Sequence, residues 1–168
     1  MIIGNKIFST GKTYIMGILN VTPDSFSDGG KYSALDAALR HTEEMIRDGA
    51  DIIDIGGEST RPGHMQVSDS KEIERTAPVI EALKQRFDIP ISIDTYKAAV
   101  AESALDAGAD LINDIWGFKY DSNMAELVSR RGAACCLMHN KSCTVYNNFI
   151  QDAVNELAEC VKIAKTAG

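Results

Sequence analysis

The sequence predicts an α/β fold built on a parallel sheet, and three observations carry that expectation. Short apolar runs, the length of buried strands, recur at Tyr14–Leu19, Asp51–Ile55, Ile91–Ile93, Asp110–Ile112 and Ala133–Met138. Helical periodicity fills the stretches between them. Finally, DGADIIDIGG (Asp48–Gly57) is echoed by AGADLINDIWG (Ala107–Gly117) and, more loosely, by RGAACCLMHN (Arg131–Asn140). A helix stop, an apolar strand and then polar residues, repeated this way, mean crossovers between parallel strands with right-handed connections.

Each element has its own signal. At the front, Ile2 and Ile3 face Lys6 to Phe8 across Gly4-Asn5, a hairpin that plugs or flanks the sheet. Between the first two strands, Ser33 and Asp36 read as a capping box. Leu35, Ala38, Leu39, Thr42, Met45 and Ile46 then form one helical face, and Gly49 ends it. The next helix, Asp69 to Phe87, is capped more weakly by Asp69 and Glu72, and Pro78 inside it predicts a kink or break. Shorter helices follow at Lys97–Asp106, stopped by Gly108, and at Ser122–Arg131, stopped by Gly132. A last one spans Asn148–Thr166, with Ile150, Val154, Leu157 and Val161 on one face. Five strands in this length suit either an open doubly wound sheet or part of an eight-stranded barrel, and periodicity does not choose between them.

The 168 residues, 45% hydrophobic and 24% charged, suffice for one domain with a sizeable core. A formal charge of -7 without a basic run opposes nucleic-acid binding. No segment approaches the roughly 20 apolar residues of a membrane span, and the N-terminus has no run suited to a signal sequence, so a cytoplasmic location is expected. Cys135, Cys136, Cys143 and Cys160 form no metal-ligand spacing, and adjacent Cys135 and Cys136, in an apolar run that points them to opposite faces, are expected to be buried, reduced thiols.

Polar residues gather where strands end: Asn20, Asp54, Asp94, Asn113 with Asp114, and His139 with Asn140. In parallel α/β folds those ends share one rim, where ligands bind. For any single residue, capping the following helix is an even competitor, but five together favour a site. STGKT (Ser9–Thr13) looks like the tail of a phosphate loop, yet Lys6 stands where its first glycine belongs. GGESTRPG (Gly56–Gly63) instead offers free backbone amides, two hydroxyls and the Arg61 guanidinium, a set suited to an anion or carboxylate. NVTPDSFSDGG (Asn20–Gly30) combines oxygen donors able to reach Mg²⁺ with Pro23 and Phe26 as bulky anchors.

GILNVTPDSFSDGG (Gly17–Gly30), DIGGESTRPG (Asp54–Gly63), SIDT (Ser92–Thr95), INDIWG (Ile112–Gly117) and LMHN (Leu137–Asn140), in this order and spacing, resemble dihydropteroate synthase of folate biosynthesis. The resemblance covers nearly the whole chain. It implies a (β/α)8 TIM barrel, here an α/β chain of about five βα units with an N-terminal β-hairpin, and a pterin-binding domain over 1–168 that is truncated relative to the full barrel.

The implied reaction joins 6-hydroxymethyl-7,8-dihydropterin diphosphate to p-aminobenzoate, giving 7,8-dihydropteroate and diphosphate with Mg²⁺, in an enzyme that sulfonamides target. By motif, Asn20 corresponds to the Mg²⁺ ligand. Thr60 and Arg61 correspond to residues that approach diphosphate and p-aminobenzoate, flanked by Phe26 and Pro62. Asp94 and Asn113 hold the pterin, whose pocket Ile115 and Met138 line. His139 is expected to be structural. The family's remaining βα units carry a second pterin aspartate, a lysine and an arginine-histidine motif on the diphosphate, so this chain alone is expected to have little or no activity. A homodimer is implied for the full-length family. Two alternatives stand beside it. One is a noncatalytic pterin-binding half-barrel acting by self-association or with a partner. The other is a corrinoid-dependent methyltransferase, which the VTPDSFSDGG and ESTRPG loops oppose.

Overall fold

The computed structural model describes residues 1–22, 30–59 and 66–168. At the front, β1 (Ile2–Ile3) and β2 (Lys6–Ile7) form the expected antiparallel hairpin across Gly4 and Asn5. Gly4 has φ 57°, a left-handed value that a side chain would strain. Five strands and five helices then alternate: β3 (Met16–Asn20), α1 (Gly30–Arg47), β4 (Ile52–Gly56), α2 (Asp69–Arg86), β5 (Ile91–Asp94), α3 (Ala98–Asp106), β6 (Leu111–Asp114), α4 (Met124–Arg131), β7 (Ala134–Leu137) and α5 (Phe149–Ala167).

Strand order decides between the two architectures left open by periodicity. The sheet runs β3-β4-β5-β6-β7, all parallel and in chain order. A doubly wound sheet reverses direction at a switch point, and this one does not. Monotonic order is that of consecutive βα units in a (β/α)8 barrel.

The sheet's two faces differ because side chains alternate along each strand. Ile53, Ile55, Ile91, Ile93 and Ile112 are buried in the main core, with Ile80 and Leu83 of α2 and Ala101 and Ala104 of α3. Each such isoleucine contributes about 1.5–3 kcal/mol of burial. On the other face the register aligns two rows: Ile18, Asp54, Ser92, Leu111 and Ala134, then Asn20, Gly56, Asp94, Asn113 and Cys136. At the N-terminal ends of the strands the hairpin's Ile3 packs with Phe8, Ile52 and Leu111 in a second, smaller core. The hairpin therefore plugs the end of the sheet opposite the polar row.

Several sequence expectations need correction. Helix α2 runs without a break through Pro78, whose ring sits on the exposed face, where water can meet the carbonyl its missing N–H leaves unpaired. Its cap is Ser68 rather than Asp69: the Ser68 side chain accepts from the Lys71 N–H at 3.4 Å. Helix α1 begins at Gly30, which places Ser33 and Asp36 inside it and not at its cap. Of the four cysteines, all free, only Cys160 is buried. Adjacent Cys135 and Cys136 point to opposite faces, Cys135 half-buried against the main core and Cys136 exposed on the other side.

Candidate active site

The polar row lies at the C-terminal ends of the strands, and strand geometry assembles it. Asn20, Gly56 and Asp94 are the last residues of β3, β4 and β5, and Asn113 the last but one of β6. Gly56 keeps a gap between its neighbours: a methyl group there would stand 3.2 Å from Asn20 Oδ1 and 3.8 Å from Asp94 Oδ2. An amide oxygen and a carboxylate thus face one space that no side chain of β4 fills.

One layer down, Asp54 is buried and accepts a hydrogen bond from Asn113 Nδ2 at 3.1 Å. That bond engages the Asn113 amide nitrogen and leaves acceptor chemistry to its carbonyl oxygen. Burial pushes the Asp54 carboxyl above its usual range, against the lowering effect of Ser92 and Asn113. Asp94 goes further. Its Oδ1 is buried with no hydrogen-bond partner, and burial, then the charges of Asp54, Glu72, Asp114 and Glu58, push it up to about 7.

Asp94, Asn113 and Asn20 are therefore brought together as the sequence predicts. Ile115 is half-buried after β6, and Met138 is exposed after β7. Phe26, Thr60, Arg61 and Pro62 lie outside the described residues.

Asp114 neither joins the row nor caps the following helix, α4, whose cap position is Asn123. Its oxygens accept from the N–H groups of Trp116 at 2.7 Å and Phe118 at 2.9 Å, which holds the turn after β6. His139 stands 3.3 Å from Glu156 on α5, a carboxylate also met by Lys119 and Lys141. That contact fits the structural role expected of His139.

The sequence did not single out a buried cluster beside the row. Glu58, Glu72, Tyr96 and Lys97 converge there from α2 and the connections after β4 and β5, each under a tenth exposed. Lys97 Nζ donates to Glu58 at 2.5 Å, to Glu72 at 2.7 Å and to the Val67 carbonyl at 2.8 Å. Tyr96 donates its hydroxyl proton to the other Glu58 oxygen, and burial, then that bond, pushes its pKa upward. Gly57 admits α2 to this spot, because a methyl there would meet Thr76 Cγ2 at 2.7 Å and Glu72 Cγ at 2.9 Å. Arg75 then donates to the Gly57 carbonyl at 2.8 Å. No sequence signal marked the cluster: Glu58 lies in the polar GGESTRPG stretch and Glu72 in the charged DSKEIER stretch.

A chain-ordered parallel sheet with amides and carboxylates collected at its strand ends defines a β/α enzyme-type module with its ligand rim at that end. Comparison with known proteins narrows the class: the family described as pterin binding enzyme matches residues 16–168. The chain belongs to that family. It is 60% identical over 169 residues to the dihydropteroate synthase of Clostridium beijerinckii, all of this chain against 63% of that protein. Among solved structures, the Clostridium difficile dihydropteroate synthase crystallised in the presence of pteroic acid is 51% identical, with TM-score 0.93 over 96% of this chain and 62% of that one. The Xanthomonas albilineans dihydropteroate synthase with 4-aminobenzoic acid is 38% identical, with TM-score 0.89 over 98% of this chain and 60% of that one. The chain thus spans somewhat under two thirds of the length of the relatives it matches.

Proposed function

We propose that this chain supplies the pterin and arylamine side of a dihydropteroate synthase site, which condenses 6-hydroxymethyl-7,8-dihydropterin diphosphate with p-aminobenzoate and releases diphosphate. The observation that carries this reading is Asp94: a half-buried carboxylate with one buried, unpartnered oxygen, beside an Asn113 whose amide is already oriented. A pterin edge presents an amino group and a ring N–H side by side, the donors such a carboxylate lacks. Ionised Asp94 accepts both, and the Asn113 carbonyl accepts at the same edge. Ile115 and Met138 flank the ring. This is recognition rather than proton transfer, since an arylamine is already neutral near pH 7 and attacks without a strong base.

Asn20 would hold Mg²⁺, which supplies positive charge to the leaving diphosphate. The donor set supports this. Mg²⁺ characteristically binds through few protein oxygens plus phosphates and water. The amide oxygen of Asn20, beside Asp94 Oδ2 across Gly56, is a hard donor of the right kind. Thr60 and Arg61, with Phe26 and Pro62, would bind p-aminobenzoate and approach the diphosphate.

The strand-end row holds one carboxylate, Asp94, and no cation, and Arg61 is the one cation assigned to two phosphates. We therefore expect slow turnover from these 168 residues alone. Diphosphate release from the two substrates with Mg²⁺ tests this, alongside calorimetry with the pterin. Pterin binding with turnover at least about a hundredfold below a complete synthase is expected. Absence of pterin binding would sink the assignment.

A second reading is favoured by exposed apolar surface. Ile18 on the inner face and Ile150 and Val154 on α5 are more than half exposed. In it the chain binds pterin without catalysis and acts by self-association or with a partner. Pterin binding with no turnover at any enzyme concentration would select this reading.

A further inference from the structure

We propose that Asp54 is a positioning residue for pterin recognition: from the layer below the rim it holds the nitrogen end of the Asn113 amide, which leaves the carbonyl end for the ligand and keeps Asn113 off Asp94. The inference rests on the pterin reading given under Proposed function. Its geometry is a bond between alternate strands. Asn113 on β6 donates through Nδ2 to Asp54 Oδ2 on β4 at 3.1 Å, across the intervening β5. Register sets Ser92 of β5 opposite Asp54, and Asp94 of β5 opposite Asn113. Ser92 is small and fully buried, so the path between the outer two strands stays open.

The two ends of an amide are almost the same size, so shape alone does not decide which end a neighbour meets. Charge decides it here. A carboxylate is an acceptor, and an amide oxygen set against it would meet like charge, so Asp54 selects the nitrogen. A second carboxylate competes for the same amide. Asp94 is its direct neighbour in register, yet among the described residues no hydrogen bond joins the two, and Asp94 Oδ1 stays buried without a partner. Without the Asp54 carboxylate, the Asn113 nitrogen is free to close on Asp94 and to consume the acceptor that a pterin's amino group and ring N–H require. Asp54 thus sets the polarity of Asn113 and keeps Asp94 available. The fold itself does not need this charge. Asp54 is only 5% exposed, and burial holds its carboxyl above the usual range, so its ionised form costs stability that an uncharged residue of the same size recovers.

The test uses the whole chain, with side-chain amide exchange followed by NMR and calorimetry with 6-hydroxymethyl-7,8-dihydropterin as readouts. In the unaltered chain without ligand, one Asn113 side-chain amide proton exchanges at least about tenfold more slowly than those of exposed Asn147. Asp54→Asn keeps the volume and removes the preference for one amide end. In it that protection is lost and pterin affinity falls at least about tenfold, while the melting temperature at pH 8 is not lowered. Asn113→Asp alone sets two carboxylates against each other and also loses affinity. The swap Asp54→Asn/Asn113→Asp reverses the bond, with the nitrogen now on residue 54 and an oxygen acceptor again left at residue 113. It binds pterin at least about threefold more tightly than either single variant, a recovery that general damage to the fold would not produce. A folded Asp54→Asn that keeps its pterin affinity overturns the proposal, as does a swap that binds no better than the single variants. If Asp54→Asn does not fold, the unaltered chain still decides, since Asn113 amide protons that exchange as fast as those of Asn147 overturn it. If the unaltered chain binds no pterin, the functional reading fails, and the exchange of Asn113 still decides whether Asp54 holds its amide.

Discussion

Asp94 is held near neutrality by its surroundings, and this makes it a liability for folding and an asset for binding. Its carboxyl is raised from 3.8 to about 7 in the folded chain. Between those values the folded state holds a proton that the unfolded state has lost, so stability falls as pH rises from about 4 to 7. Below 4 both states are protonated and the penalty is absent; above 7 it is complete, at most about 4 kcal/mol. Asp94→Asn removes it. We predict that this variant melts higher than the parent at pH 8 and about equally at pH 4, in thermal scans across that range. Pterin affinity should fall at least about thirtyfold at pH 8, because an amide presents only one acceptor to two donors. A variant that keeps its pterin affinity would dissociate Asp94 from the site. At this scale, Asp94 and Asn113 were legible because both end apolar strands. Asp114 resembled them in sequence, but adjacent strand residues face opposite ways and it serves the turn after β6. Lys97 and Glu72 were not legible, because their pairing depends on how α2 docks over Gly57.

At the level of elements, the contact between α2 and β4 is set by the absence of a side chain. Gly57→Ala would drive a methyl into Thr76 and the backbone-proximal part of Glu72, neither of which is the far end of a flexible chain. A cost of about 1–3 kcal/mol is expected, read as a drop in melting temperature of several degrees. The opposite sign is expected within α2. Pro78→Ala restores a hydrogen bond in a continuous helix at an exposed position. After allowance for the stiffer unfolded chain of the parent, it should stabilise by about 1–2 kcal/mol. An unchanged melting temperature would mean that the helix is already relaxed around the proline. The strands and helices themselves were readable from apolar runs and glycine stops: Gly49, Gly108 and Gly132 all adopt positive φ just after α1, α3 and α4. The integrity of α2 was not readable, because it depends on which face of the helix meets solvent.

The whole chain presents two unlike surfaces. Its helix-covered face is closed over the isoleucine core, whereas Ile18 on the edge strand and one stripe of α5 remain apolar and open. Ile150, Val154, Leu157 and Val161 repeat at helical spacing along that stripe, from 37% to 68% exposed, and Phe149 adds to its start. Exposed apolar area of this contiguity is unusual on a lone molecule and favours contact with another surface. The charge of -7 on each chain opposes such contact over the range of a Debye length, about 10 Å at 0.1 M salt. Association should therefore strengthen with both protein concentration and salt. In sedimentation velocity from about 1 to 100 μM, the average mass should climb above that of one chain, and 0.5 M NaCl should shift the climb to lower concentration. Val154→Lys/Val161→Lys places two ammonium groups on the stripe, where their desolvation is uncompensated, and should return the chain to monomer without lowering its pterin affinity. A monomer at every concentration would show that the stripe is tolerated by water. Association untouched by the substitutions would move the contact to the inner face around Ile18, where it would compete with the ligand rim.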